Sequence, residues 1–140
     1  MSDYSKVFKE LSEIFKYIPE EQMKKIPDEI IKRIEEKKDN EYNYEVMHIE
    51  DFQNQNMFKE TRAILAVLYR DYWASEEERK EIKEQERIEY INTDNELSNN
   101  NKEIFIKNDK KIEKEAENAI IVYKESFIRK IIKKIKSFFK

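Results

Sequence analysis

The sequence predicts an all-α fold, a small helical bundle followed by a polar linker and a C-terminal cationic amphipathic helix. Apolar residues recur at steps of three and four over most of the chain, which gathers them on one side of a 3.6-residue helix. Prolines followed by acids, and one Ser-x-x-Glu box, punctuate the periodic stretches as helix starts do. Alternation suited to a strand occurs only at Tyr42, Tyr44 and Val46, and a sheet needs a second strand that is not visible.

The first helix follows from Tyr4, Val7, Phe8, Leu11, Ile14, Phe15 and Ile18, with Ser2 or Asp3 to cap its free amides and Pro19 to stop it. Pro19 and Pro27 each precede two acids within two residues, the arrangement of a helix N-terminus, so a short helix is expected over Pro19–Lys25 and another over Pro27–Lys38. Ile30, Ile31 and Ile34 would give the second its buried side. Residues 39–56 lose the helical period and read as an ordered loop. Asn56–Trp73 is the most apolar helix, with Met57, Thr61, Ile64, Leu65, Leu68, Tyr69 and Tyr72 on one broad face and Val67 and Trp73 outside it, so it is placed at the centre of the fold. Ser75 and Glu78 form a capping box that restarts a charge-rich surface helix running to about Ile91. The helical domain is thus set at 1–91, the polar linker at 92–108, and a C-terminal amphipathic helix at 109–140.

The composition removes whole classes of chemistry. Without Gly there is no P-loop, dinucleotide fingerprint, nucleophile elbow or EF-hand loop; without Cys there is no thiol nucleophile, disulfide or thiolate zinc site. One His cannot build a His cluster. His48, beside Glu45, Glu50 and Asp51, has the residue types of a base or a metal ligand, but a lone His in a polar loop is more often solvated. No enzyme activity, cofactor or metal is expected. No apolar leader is visible, and the longest apolar run is Ala63–Tyr69, so neither secretion nor membrane spanning is expected and a cytoplasmic bacterial protein is.

Charge is unevenly placed. Residues 127–140 hold six bases and no acid; taking that +6 from the net −3 leaves −9 on residues 1–126. An acidic body argues against nucleic acid as its ligand. At about 100° per residue, Phe127, Ile128, Ile131, Ile132, Ile135, Phe138 and Phe139 fall within roughly 140° of arc, and Arg129, Lys130, Lys133, Lys134, Lys136 and Lys140 occupy the opposite side. Such segregation suits a helix lying on an anionic membrane surface, peripheral to the inner face of the membrane, or meeting another polyanion. It equally suits a terminal helix that covers the core with Ile and Phe. The upstream stripe of Ile112, Ala116, Ala119, Ile120 and Tyr123 is centred about 100° away, so the helix must bend near Glu125 or its two stripes meet different partners.

A second candidate surface is the charged and aromatic set on the central helix. Arg62, Tyr69, Arg70, Asp71 and Trp73 are expected to contact a protein partner, because Arg, Tyr and Trp dominate interface hot spots; the plainer reading is the wet edge of a core helix. The stretches I-P-x-E-I-I at 26–31 and E-T-R-A-I-L-A-V-L-Y-R-D-Y-W at 60–73 resemble those of small uncharacterised helical proteins of low-GC Gram-positive bacteria, over about residues 4–80. The resemblance implies a helical module and assigns no catalytic residue. The expectation is therefore a non-enzymatic helical interaction module, localised by its basic C-terminal helix to an anionic membrane surface or partner. The alternative is a small mobile-element or regulatory inhibitor or adaptor that binds a protein partner, with the C-terminal helix packed into the core. No small-molecule substrate is evident.

Overall fold

Seven α-helices occur among the described residues, which in the computed structural model are 4–47, 49–93 and 111–139. No strand occurs among the described residues. Helix α1 (Tyr4–Phe15) buries Val7, Phe8, Leu11, Ile14 and Phe15. It runs out in a tight turn whose Tyr17 and Ile18 amides donate to Ile14 and Phe15, and Pro19 closes it. Helices α2 (Glu20–Met23) and α3 (Asp28–Lys37) each begin one residue after a proline, and each proline's carbonyl accepts the first helical bond. Pro19 and Pro27 have ψ of 148° and 140°, which places them just outside the helices expected to start on them. Of the three isoleucines expected to seal α3, only Ile34 is fully buried; Ile30 and Ile31 are half-buried.

The loop after α3 carries one 3₁₀ turn, Ile49–Asn54, and its Phe52 is completely buried. Helix α4 (Lys59–Leu68) is the centre of the molecule, with Ala63 through Leu68 all buried. Two faces would account for alternate residues; burial of six in a row means the helix is covered on every side. It touches α1, α6 and α7. Its last turn widens into a π-helical segment, Tyr69–Trp73, where the Ala74 amide donates to the Tyr69 carbonyl at 2.7 Å. Helix α5 (Glu76–Thr93) starts on a reciprocal box: the Ser75 amide donates to Glu78 Oε1 and the Glu78 amide to Ser75 Oγ, both at 3.1 Å.

The C-terminal helical stretch breaks in two. Helix α6 (Lys111–Val122) and helix α7 (Glu125–Lys136) are separated at Lys124, whose ψ of 151° is extended. This break answers the mismatch between the two apolar stripes, because it lets both press on α4. Ile112, Ala116, Ala119, Val122 and Tyr123 from α6 join Ile128, Ile131, Ile132 and Ile135 from α7 in the same core as α1 and α4. The described part of the 109–140 stretch, residues 111–139, expected as a helix set apart from a domain at 1–91, packs into the same core as α1 and α4. Residues 92 and 93 continue α5, and the remainder of the expected linker lies outside the described residues.

The face expected to enter lipid is closed against the body. Ile131, Ile132 and Ile135 are 2%, 0% and 0% exposed. Phe138 lies stacked near Tyr69 at 6.1 Å between centroids and edge-on to Trp73 at 5.7 Å; Phe139 packs edge-on against Phe52 at 4.8 Å. Phe127 is half-buried beside the Tyr123 ring at 5.1 Å. The physical reason is the gap they fill. Without α7 the aromatic ends of α4 and the Phe52 turn would meet water.

Candidate functional site

The five residues expected to meet a partner do not form one exposed patch. Arg62 points back along the chain and donates to the carbonyls of Gln53 and Gln55 at 3.1 and 2.6 Å, latching the 3₁₀ turn to α4. Tyr69 and Trp73 are buried; the Tyr69 hydroxyl bonds Glu78 at 2.7 Å and the Trp73 indole donates to the Gln22 carbonyl at 2.9 Å. These three are internal ties. A partner could not reach Tyr69 or Trp73 without displacing Phe138.

Arg70 is the hub of a charged node. Its Nε and Nη2 donate to both oxygens of Asp71 at 2.8 and 2.9 Å, its Nη1 to Glu86 at 2.6 Å, and its Nη2 also to Glu115 at 2.9 Å. The Tyr123 hydroxyl accepts from Nη1 at 3.3 Å and donates to Glu86. Burial pulls the Arg70 guanidinium down, but the hydrogen bonds to Asp71 and the negative groups around it outweigh burial and hold its pKa above the ordinary arginine value. Burial and the Glu86 bond push the Tyr123 phenol up, so it stays neutral. One guanidinium thus faces three carboxylates from the π turn, α5 and α6. The node is left with excess negative charge. The widened turn that aims Arg70 inward exposes backbone carbonyls, and Arg79 from α5 covers those of Arg70, Asp71 and Ala74 at 2.8, 3.3 and 3.3 Å.

In front of this node lies a cleft of about 560 Å³ between α3, the π turn and α6. Its floor is apolar, with Val67 and Ile112 buried and Ile30 and Tyr72 half-buried. Its walls carry Glu29, Glu36, Asp71 and Glu115 against Lys32 and Arg33. Arg33 is committed to Glu113, with Nε donating to Oε1 at 3.1 Å. Burial, followed by the charges of Asp71, Glu115 and Glu29, raises the Tyr72 phenol above its ordinary pKa, a mark of the negative potential there. Of the five expected contact residues only Asp71 lines the cleft. The sequence carried a trace of it, since a stripe of three isoleucines on so charged a helix offers more apolar surface than the one fully buried Ile34 gives the core.

On the far side, α7 turns its bases outward. Lys130 and Lys133 are exposed and make no ion pair among the described residues; Arg129 pairs only within its helix, with Glu125 at 3.6 Å. Lys134 is the exception, bridging to Glu78 at 2.7 Å. Together with the Tyr69 hydroxyl and the Ser75 amide, Lys134 holds the Glu78 carboxyl down at about 2. Sequence reasoning also missed Glu10, which is 1% exposed. Its Oε1 accepts from the Phe58 amide at 3.0 Å and the Thr61 hydroxyl at 2.6 Å, and its Oε2 from Tyr42 at 2.6 Å. It caps the start of α4 from another helix, a role with no local signature.

His48 and the Glu50 side chain lie outside the described residues, and no group of three or more His, Asp or Glu among the described residues is placed to hold a metal ion. No described helix is long and apolar enough to cross a membrane. No protein-family model, curated protein or solved structure matches the chain.

Proposed function

We propose that the protein is a non-enzymatic interaction module, a small inhibitor or adaptor that binds a protein partner in the cytoplasm, with α7 serving as part of its body. The observation that supports this reading is the cleft itself: an apolar floor left open between α3 and α6 beside a charged node that fixes its walls. Concave apolar sites with a few fixed polar groups are where binding concentrates. Site-specific photo-crosslinking in cells tests it. A cross-linker at Lys32 should trap a discrete protein that one at exposed Glu81 on α5 does not. Equal trapping from both positions, or none from Lys32, contradicts the reading.

A second reading, peripheral contact of α7 with an anionic membrane surface, is favoured by the outward Lys130 and Lys133. With Ile131 and Ile135 in the core, attraction would be electrostatic alone, about 1 kcal/mol per base before screening. Sedimentation with anionic vesicles should then vanish at high salt and leave Trp73 emission unchanged; salt-resistant binding would restore the inserting anchor.

A further inference from the structure

We infer that the cleft between α3 and α6 takes a basic amphipathic helix of a protein partner, seating its apolar side chains on the floor and its Lys or Arg groups against the walls. This rests on the cleft being the partner site.

Three features of the cleft select that occupant. The floor presents Ile30, Val67, Tyr72 and Ile112, contributed by three separate helical segments, so the surface is a groove with two sides and not a lone patch. Its volume, about 560 Å³, lies in the range of roughly 300–1,000 Å³ typical of ligand sites, enough for a few apolar side chains but not for a whole buried helix. An amphipathic helix laid along a groove inserts only such a set of anchors, at i, i+3, i+4 and i+7.

The walls decide the sign of the partner's polar face. Glu29 and Glu36 stand two turns apart on the exposed edge of α3 and make no ion pair among the described residues. Across the groove, Asp71 and Glu115 share Arg70 with Glu86, so one positive charge serves three negative ones. Arg33 is matched by Glu113, which leaves Lys32 as the base at the rim that no ion pair among the described residues engages. An acidic helix would meet four carboxylates and be repelled. A basic one gains steering and register from both walls.

The probe is a synthetic amphipathic helical peptide with leucine on one face and lysine on the other, added to the intact 140-residue chain carrying labelled isoleucine and valine methyls. Binding should shift the Ile30, Val67 and Ile112 methyl signals. Reversing the α3 wall with Glu29→Lys and Glu36→Lys should weaken the affinity at least about tenfold, while Glu29→Gln with Glu36→Gln should weaken it less and leave the thermal midpoint nearly unmoved, since both side chains are exposed. Tyr72→Ala should weaken it separately by removing floor. A peptide with glutamate in place of lysine should not bind. If the glutamate peptide shifts the same methyls as strongly, the cleft remains a partner site and the basic occupant is refuted. If neither peptide moves them, the cleft as partner site fails as well. Shifts confined to α7 would overturn the location outright.

Discussion

The two ends of α4 hold their charged side chains in different ways. At its start, Glu10 is sealed from water and accepts from three neutral donors, Phe58, Thr61 and Tyr42. At its far end, Arg70 is gripped by three carboxylates that each keep some contact with solvent. The first arrangement saturates its ion within the fold and leaves nothing outside. The second stabilises its ion with more opposite charge than it needs, and the surplus faces the cleft. A satisfied buried charge speaks of folding; an over-compensated one at a cleft wall gives the protein a field that a partner can feel.

Glu10→Ala should be the most damaging of the substitutions at these two sites. It strands the buried Thr61 hydroxyl and two part-buried donors; a buried donor without a partner costs about 1–3 kcal/mol, so a loss of about 3 kcal/mol is expected in urea unfolding. Glu10→Gln, which keeps one acceptor oxygen, should be milder. Arg70→Met leaves Asp71, Glu86 and Glu115 facing one another; removing one partner of a fully buried pair costs about 3–5 kcal/mol, and the partial exposure of these acids lowers the expectation to about 2–3 kcal/mol. If the two variants lose equal stability while Arg70→Met leaves the cleft unchanged, the contrast between the ends of α4 collapses.

Smaller effects are expected on the α7 side. The Glu78 carboxyl titrates at about 2 in the folded protein against an ordinary 4.5, so its contribution is complete above 4.5 and fades as pH falls toward 2. In acid, Glu78→Gln should therefore lose less stability than the unaltered protein over that interval, read by the Trp73 emission that reports the docked Phe138. Lys130→Glu with Lys133→Glu should change stability by no more than about 0.5 kcal/mol, because both groups face solvent. A larger loss would mean that the outer face of α7 has structural partners.

Much of the fold was legible because it depends on period. The stripe of α1 and the box at Ser75 and Glu78 form where local pattern placed them, while the apolar helix expected over 56–73 begins at Lys59 and passes into the π segment after Leu68. The bend between α6 and α7 was also readable, as a phase shift between two stripes. The candidate site was less so. An amphipathic helix looks the same in sequence whether its apolar half meets lipid or α4, since only the shape of the partner surface distinguishes them. Arg70 and Trp73 carry hot-spot chemistry, but the π turn rotates Trp73 inward and surrounds Arg70 with acids from helices far along the chain. Glu10 and Arg79 act on backbone groups 48 and nine residues away, a distance at which no spacing rule operates.

Helix α7 belongs to the core, with Ile128, Ile131, Ile132 and Ile135 all buried. Urea unfolding of the unaltered chain and of Ile132→Ala, followed by Trp73 emission, tests the docking of α7, because Ile132 has no exposure and Phe138 packs on the indole. A loss of about 2–5 kcal/mol is predicted, as for a fully buried isoleucine. An unchanged unfolding midpoint would mean that α7 is not docked in solution.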